Sequence, residues 1–104
     1  MLNINKISTY LGFAIKSGKI LFGYDNLLTN KKFPTLVLTC STLNDKMNTK
    51  VNDFCNKNNI QIISLINIEL SSLIKRDNCK VVGILDENLS KAILNEFKME
   101  KTYN

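Results

Sequence analysis

The sequence predicts a single α/β domain with an α/β/α sandwich fold, in which helices cover both faces of a central mixed sheet of about four strands. Short, continuous runs of apolar residues alternate along the chain with segments whose apolar residues recur at helical spacing. This alternation is typical of buried strands connected by packed helices. The length of 104 residues suits one domain. We expect the domain to span residues 1–97 and a polar tail to occupy residues 98–104.

The first helix is indicated by apolar residues at helical spacing, namely Ile4, Ile7, Leu11 and Ala14. Either Asn3 or Asn5 would cap its start, and Gly18 would end it. Residues 19–22 then form a short extended segment that ends at Gly23. We expect this strand to lie at an edge of the sheet.

A second, shorter helix is predicted from Asp25 to about Lys32, with Leu27 and Leu28 facing inward. Pro34 would break it, because proline cannot continue a helix. Residues 35–40 follow as a continuous run rich in β-formers. A run of this kind predicts a strand in the middle of the sheet, buried on both faces.

The third helix has an apolar face formed by Met47, Val51, Phe54 and Cys55. Its start is indicated by residues whose side chains cap helices, namely Ser41, Thr42 and Asn44. Asn58 and Asn59 would end it. Residues 60–65 are again apolar and predict a second buried strand.

A short helix is predicted at residues 67–75, with Leu70, Leu73 and Ile74 on one side. Residues 76–78 form a turn, and residues 80–85 predict a third buried strand. Asp86 or Asn88 would cap the last helix. The inward residues of that helix are Leu89, Ala92, Ile93 and Phe97.

Composition excludes several classes of protein. The chain is 44% hydrophobic and 22% charged, which is too apolar for a disordered chain. No apolar run is long enough to span a bilayer. Residues 1–12 mix Asn, Lys and Thr with apolar residues and do not form a signal peptide. We therefore expect a cytoplasmic protein without a membrane partner.

The cysteines favour a structural interpretation. Cys40, Cys55 and Cys79 are widely spaced, without a C-x-x-C pair, and the chain contains no histidine. Three thiols without histidine make a zinc site improbable, and a Cys–His catalytic pair is impossible within this chain. We interpret the three as small hydrophobic residues. The sequence thus predicts no metal, no cofactor and no enzymatic activity.

Positive charge is concentrated near the start of the chain. The net charge is +5, and residues 1–32 contribute +4 of it, from five lysines against Asp25 alone. A concentrated positive region is the electrostatic pattern expected of a surface that binds phosphates. An ordinary solvated lysine surface is the alternative.

Two polar segments are candidates for contact with RNA. Residues 18–26 open the second helix, where free backbone amides and the positive end of the helix dipole favour anions. Asp25 and Asn26 could also contact base edges, although Asp25 alternatively caps the helix or favours its positive end. Residues 75–78 form a polar turn before a buried strand, and an ordinary solvated turn is the alternative there.

Asp86 and Glu87 form the remaining candidate, a pair of carboxylates at the end of a strand. Paired carboxylates perform acid–base chemistry in some enzymes. Here they lie where a helix begins, so we interpret them as capping residues.

Several segments, in order, resemble one known family. Residues 11–19 with Gly23 resemble the first helix and glycine-containing turns of bacterial YlxQ-type proteins. Residues 36–41 resemble the family's buried strand, and residues 69–71 occupy the position of its Glu-Leu-Gly. Residues 81–93 resemble its last strand and helix. The resemblance extends over residues 6–95, apart from a small deletion near residues 32–34.

YlxQ-type proteins belong to the kink-turn-binding ribosomal protein superfamily, of the L-seven-Ae and L-thirty-e type. The resemblance implies an α/β/α sandwich that binds structured RNA. The superfamily signature Gly-x-Asn-Glu-x-x-Lys matches Gly23, Asp25, Asn26 and Thr29. Only Gly23 is identical, because the acidic and amide residues are reversed and Thr29 replaces the lysine. The family's Asn and Glu bind sheared G·A pairs.

The superfamily's second RNA contact is an often apolar loop that corresponds here to residues 75–79. This chain has the shorter, charged segment Lys75-Arg76-Asp77-Asn78-Cys79. A charged loop favours contact with phosphates over stacking on a base. The resemblance therefore implies RNA lying across the corner at residues 18–26 and the turn at residues 75–79.

The expected function is binding of structured RNA, ribosomal or kinked, by a monomeric, ribosomal-protein-like chain within a ribonucleoprotein. The residues expected to contact RNA are Gly18, Lys19, Gly23, Tyr24, Asp25, Asn26, Thr29, Lys31, Lys32, Lys75, Arg76 and Asn78. One alternative is a protein-interaction module that keeps the fold without the kink-turn recognition. Another is a relative of the substrate-binding domain of RNA methyltransferases, although no methyl-donor domain is present.

Overall fold

Helices and strands alternate along the chain. The computed structural model describes residues 4–66 and 68–102, and of residues 98–102 it describes the backbone alone. The helices are α1 (Ile4–Lys16), α2 (Tyr24–Thr29), α3 (Asp45–Lys57), α4 (Leu70–Ile74) and α5 (Glu87–Thr102). The strands are β1 (Ile20–Phe22), β2 (Leu36–Cys40), β3 (Gln61–Leu65) and β4 (Val81–Ile84).

The four strands form one mixed sheet in the order β1-β4-β2-β3. β4 is antiparallel to both of its neighbours, and β2 is parallel to β3. The short strand β1 lies at an edge, as the sequence predicted. Residues 36–40 are all buried, which confirms β2 as an inner strand.

The prediction of a buried strand at residues 60–65 is wrong in one respect. β3 is the other edge strand, and Gln61 and Ser64 are exposed while only Leu65 is buried. Its apolar run has the composition of an inner strand, but an edge strand is covered on fewer sides. Polar residues at an edge also hinder pairing with another chain.

Two hydrophobic cores confirm the three-layer architecture. The first lies between the sheet and the layer of α1, α4 and α5, and its buried residues include Ile7, Leu11, Leu38, Leu70, Ile84 and Ile93. The second lies on the opposite face beneath α2 and α3, and its buried residues are Leu27, Val37, Val51, Cys55 and Val81. Because successive residues of a strand point to opposite faces, Val37 and Leu38 contribute to different cores.

Helix ends follow the predicted capping residues in most cases. The side chain of Asn44 accepts a hydrogen bond from the Met47 amide at 2.8 Å and caps α3. Asp86 caps α5, because its Oδ1 accepts from the Leu89 amide at 3.0 Å. Asn5 lies inside α1 and does not cap it, while Asn3 lies outside the described residues.

The last helix is longer than the sequence indicated. A polar tail was predicted from Lys98, and α5 continues to Thr102. Tyr103 and Asn104 lie outside the described residues. Among the residues described, no helix is both long enough and apolar enough to cross a bilayer.

The second helix is shorter than predicted. α2 ends at Thr29, since Asn30 has extended backbone angles. Leu27 is fully buried, but Leu28 is 48% exposed, so the prediction that both face inward is wrong. A helix of under two turns presents a single residue to the sheet at this point, and Leu28 lies about 100° around the helix from Leu27.

α2 packs closely on the sheet because β4 contains a glycine. A Cβ atom built on Gly83 would lie 2.6 Å from Leu27 Cδ2 and 3.0 Å from Pro34 Cβ. Leu27 is fully buried and the proline ring is rigid, so neither neighbour has room to move. The absence of a side chain at Gly83 thus fixes the distance between α2 and β4.

We expect Gly83→Val to lower the free energy of unfolding by about 1–3 kcal/mol, the usual cost of overpacking a core. Urea unfolding monitored by circular dichroism would measure it. Gly12→Ala is the matched control, because a Cβ atom there meets nothing within 4 Å. That change should stabilise α1 by about 0.5–1 kcal/mol. A Gly83→Val protein as stable as the wild type would contradict the close approach.

Candidate functional site

The strands of the sheet have two ends, and the candidate residues divide between them. We call one end of the sheet the Gly23 end; there β1, β2 and β3 finish and β4 begins. We call the other the Lys19 end; there β1, β2 and β3 begin and β4 finishes. The loops that leave each end are therefore separated by the full length of the strands.

The first turn of α2 lies at the Gly23 end. Gly23 has a positive φ of 86° and serves as the N-cap, with no side chain capping the helix. Its amide donates to the Val81 carbonyl at 2.9 Å, which joins the turn to β4. A residue with a Cβ atom rarely adopts such a φ, and this explains the glycine.

Asp25 and Asn26 occupy this turn but have different surroundings. Asp25 is exposed and lies in the first turn, so it is not the N-cap, and its position fits the other form of that alternative, in which it favours the positive end of the helix. Its carboxylate still lies near the positive end of the helix dipole. Asn26 Nδ2 donates to the Phe22 carbonyl at 2.6 Å, which commits one amide hydrogen and leaves its Oδ1 as an acceptor.

The turn at residues 75–79 lies at the same end. Lys75 and Asn78 both have left-handed backbone angles, with φ of 57° and 59°. The Arg76 amide donates to the Ser71 carbonyl at 3.1 Å, and Ser71 Oγ donates to the Cys79 carbonyl at 3.1 Å. These hydrogen bonds hold the turn against the end of α4.

A cation–π contact connects the two segments. The Arg76 guanidinium carbon lies 4.0 Å from the centre of the Phe22 ring. Phe22 precedes Gly23 directly, so Arg76 lies beside the entrance to α2. The structure thus brings together Gly23, Tyr24, Asp25, Asn26, Lys75, Arg76 and Asn78.

The remaining predicted residues lie elsewhere. The Lys19 carbonyl accepts from the Leu85 amide, and the Thr35 amide donates to the Ile84 carbonyl, each at 2.8 Å. Gly18, Lys19, Lys31 and Lys32 therefore belong to loops at the Lys19 end. Thr29 lies in the last turn of α2, where its hydroxyl donates to the Asp25 carbonyl at 3.0 Å.

Gly18 has a structural role that accounts for it. With φ of 70°, it follows α1 in a Schellman arrangement, in which the Lys19 amide donates to the Ala14 carbonyl at 2.8 Å and the Gly18 amide to Ile15 at 3.2 Å. Glycine is the usual residue at this position.

Charge is distributed unevenly between the two ends. At the Gly23 end, the cationic residues equal the acidic residues in number: Lys46, Lys75, Arg76 and Lys80 against Asp25, Asp45, Glu69 and Asp77. At the Lys19 end, Lys16, Lys19, Lys31, Lys32 and Lys57 are all exposed, and none of them forms an ion pair within the described residues. Four of the five lysines in residues 1–32, namely Lys16, Lys19, Lys31 and Lys32, therefore lie at the end opposite the first turn of α2.

Asp86 has the capping role that the sequence indicated, whereas Glu87 lies in the first turn of α5 and does not cap it. Asp86 accepts the capping hydrogen bond of α5. Glu87 Oε1 lies 3.4 Å from Lys91 Nζ, one turn later in the same helix. This pairing leaves the two carboxylates in structural positions.

The cysteines are free thiols. Burial raises the pKa of Cys40, although its Sγ accepts a hydrogen bond from the Leu70 amide at 3.0 Å. Burial also raises the pKa of Cys79 and raises that of Cys55 to about 11. Neutral thiols are poor nucleophiles and poor metal ligands. Within residues 4–66 and 68–102, no three acidic or thiol side chains cluster in a way that would hold a metal ion.

Two aromatic residues, Phe22 and Phe33, were not among the predicted site residues. Phe22 has the pattern of an ordinary strand residue. Its contact with Arg76 could not be predicted, because the two residues are distant in sequence. Phe33 is 48% exposed and follows Lys31 and Lys32 directly. An aromatic residue beside two lysines was a visible signal for this second position.

Comparison with known proteins supports the fold alone. No protein-family model matches the chain, and no curated protein matches it. Among solved structures, a protein of unknown function from Bacillus halodurans C matches with a TM-score of 0.78 and 23% sequence identity. The match covers 89% of this chain and 97% of that one.

The raised pKa of Cys55 predicts a loss of stability at alkaline pH. The thiol has a pKa of about 11 when folded, against about 9 ordinarily. Between these values the unfolded thiol ionises while the folded one does not, so stability present below pH 9 is lost as pH rises. The loss should be about 1.4 kcal/mol per pH unit between pH 9 and 11.

Denaturant unfolding from pH 8 to 10.5 would test this, with Cys55→Ala as the control that lacks the thiol. The difference in unfolding free energy between wild type and Cys55→Ala should shrink as pH rises. A constant difference would show that burial does not disfavour the thiolate.

Proposed function

We propose that this protein is a non-catalytic, ribosomal-protein-like RNA-binding protein of the kink-turn-binding superfamily, and that structured RNA binds at the Gly23 end. One observation is the main support. The first turn of α2 and the 75–79 turn, each a candidate for RNA contact, lie together and are joined by the Arg76–Phe22 contact. Two segments distant in sequence therefore lie next to each other at the Gly23 end.

The chemistry of this surface suits RNA. A guanidinium stacked on an aromatic ring keeps its N–H groups at its edge, where they can donate to phosphate oxygens. Asp25 and Asn26 Oδ1 are acceptors, and the amino and imino groups of a guanine edge are matching donors. The exposed amides of the first α2 turn add further donors. The surface thus combines phosphate contacts with potential base contacts.

The balance of charge at the Gly23 end favours recognition over non-specific attraction. Equal numbers of cationic and acidic residues attract a polyanion weakly. Affinity would then depend on hydrogen bonds to a particular RNA shape, since an acidic residue near phosphates is tolerated where bases donate to it. We therefore propose a kinked or otherwise unpaired RNA, whose guanine edges are accessible.

The same balance of charge favours one competitor, a protein-interaction module. Such a module would retain the fold and the Arg76–Phe22 contact without needing net positive charge. The dependence of binding on salt separates the two functions, because releasing counterions from phosphates gives a steep salt dependence.

We expect Arg76→Ala to weaken binding of a kink-turn RNA and to reduce the salt slope by about one unit, the effect of one lost phosphate contact. Arg76→Lys should keep the slope but lose affinity, because lysine lacks the planar, bidentate geometry. Fluorescence anisotropy across a salt series would measure both. Lys50→Ala is the matched control, since Lys50 is exposed on α3 and belongs to neither turn. Equal losses in Arg76→Ala and Lys50→Ala would argue against this surface.

If the Asp25 carboxylate accepts hydrogen bonds from guanine, Asp25→Ala should weaken binding by about 1–3 kcal/mol. The loss should disappear when the G·A pairs of the RNA are replaced by Watson–Crick pairs. Stability should fall by at most about 1 kcal/mol, because only the favourable interaction with the helix dipole is removed. Asp45→Ala, in the first turn of α3, is the control for that interaction. Unchanged or tighter binding by Asp25→Ala would exclude a base contact.

A further inference from the structure

A groove at the Lys19 end lies away from the proposed site. It has a volume of about 360 Å³ and runs between the 33–35 segment, residues 58–60 and the first part of α5. Its size falls within the range of about 300–1,000 Å³ typical of ligand-binding clefts. We propose that this groove binds an unpaired stretch of single-stranded RNA, with a base stacked on Phe33.

Phe33 has the properties of a stacking platform. Its side chain is 48% exposed, and its ring meets that of Phe54 in a T-shaped contact at 5.6 Å. Phe54 contacts Tyr24 in the same manner at 6.4 Å. The Phe33 ring is therefore supported from within the protein while part of its surface faces solvent.

The backbone holds Phe33 in this outward position. Pro34 is buried and occupies the space beside Gly83, where a Cβ atom would lie 3.0 Å from it. Asn30 Nδ2 donates to the Lys32 carbonyl at 2.7 Å, and the Thr35 amide is fixed on β4. The backbone on both sides of Phe33 is therefore anchored to the protein.

The charges around the groove match a phosphate backbone. Lys31 and Lys32 precede Phe33, Lys57 ends α3 next to the groove, and all three are exposed and form no ion pair within the described residues. Glu87 also lines the groove, but its carboxylate is paired with Lys91 at 3.4 Å. The residues beside the groove therefore carry an excess of positive charge.

A hydrogen-bonding group also remains available for a base edge. The exposed Asn59 side chain forms no hydrogen bond within the described part of the chain, whereas Asn58 Nδ2 is committed to the Phe54 carbonyl at 2.8 Å. An amide offers both a donor and acceptors. An exposed aromatic ring flanked by cations is the arrangement that binds single strands, because a base must be unstacked to lie on the ring.

This inference goes beyond the proposed function and does not depend on the Gly23 end. Its test uses the full chain with an oligoadenylate, which contains no kink turn. Phe33→Ala should weaken binding of the oligoadenylate at least about fivefold, the scale of one lost stacking contact. Phe13→Ala is the matched control, since Phe13 is 54% exposed and does not line this groove; it should change binding less than twofold.

Two further variants separate this surface from the Gly23 end. Lys31→Ala combined with Lys32→Ala should reduce the salt slope for the oligoadenylate by about one to two units. Arg76→Ala should lower oligoadenylate affinity less than Phe33→Ala does, because Arg76 lies at the other end of the sheet from the groove. Failure of the kink-turn experiment would then overturn the proposed function without affecting the groove proposal. Failure of the oligoadenylate experiment would overturn the groove proposal without affecting the proposed function.

A direct readout follows from the absence of tryptophan in the sequence. Phe33→Trp introduces a single tryptophan, whose emission should be quenched when a base stacks on it, whereas Phe13→Trp should not respond. Equal affinity of Phe33→Ala and wild type would overturn the inference. Binding of polyglutamate as tight as that of oligoadenylate would also overturn it. So would the finding that wild type self-associates through Phe33 and that Phe33→Ala binds more weakly only because this self-association is lost.

Discussion

The close packing of α2 against Gly83 positions both candidate surfaces of this molecule. Leu27 and Pro34 approach β4 at distances that a side chain at residue 83 would not permit. This contact places the start of α2 at one end of the sheet and the segment after α2 at the other. A single glycine on an inner strand therefore helps to set the position of the first turn of α2, and of Phe33 after that helix.

Much of the fold could be predicted because local chemistry and tertiary structure agree. The continuous apolar run of β2 is buried, and Asn44 and Asp86 cap the helices that they precede. The errors arose where burial depends on neighbours distant in sequence. β3 has the composition of an inner strand but lies at an edge, and Leu28 has no partner because α2 ends early. Strand order is not encoded in the local pattern from which these elements were predicted.

The candidate site was predictable in part for the same reason. The first turn of α2 and the 75–79 turn were identified separately, but the Arg76–Phe22 contact that joins them spans more than fifty residues of sequence. The distribution of charge along the sequence led to a wrong expectation, because five lysines in residues 1–32 suggested one positive surface near Asp25. α2 runs back along the sheet between β1 and β2. The lysines just before β1 and those just after α2 therefore lie at the opposite end of the strands from Asp25.

The two hydrophobic cores differ in size, and this difference has a consequence for local stability. The core beneath α2 and α3 contains far fewer buried residues than the one beneath α1, α4 and α5. The free energy required to open part of a protein falls with the amount of apolar surface that the part buries. The α2–α3 layer is therefore the first to open in native-state fluctuations, and α2, whose first turn lies at the Gly23 end, belongs to the less protected cooperative unit. Ligands that contact α2 would slow the exchange of its amide hydrogens while leaving the opposite layer unaffected.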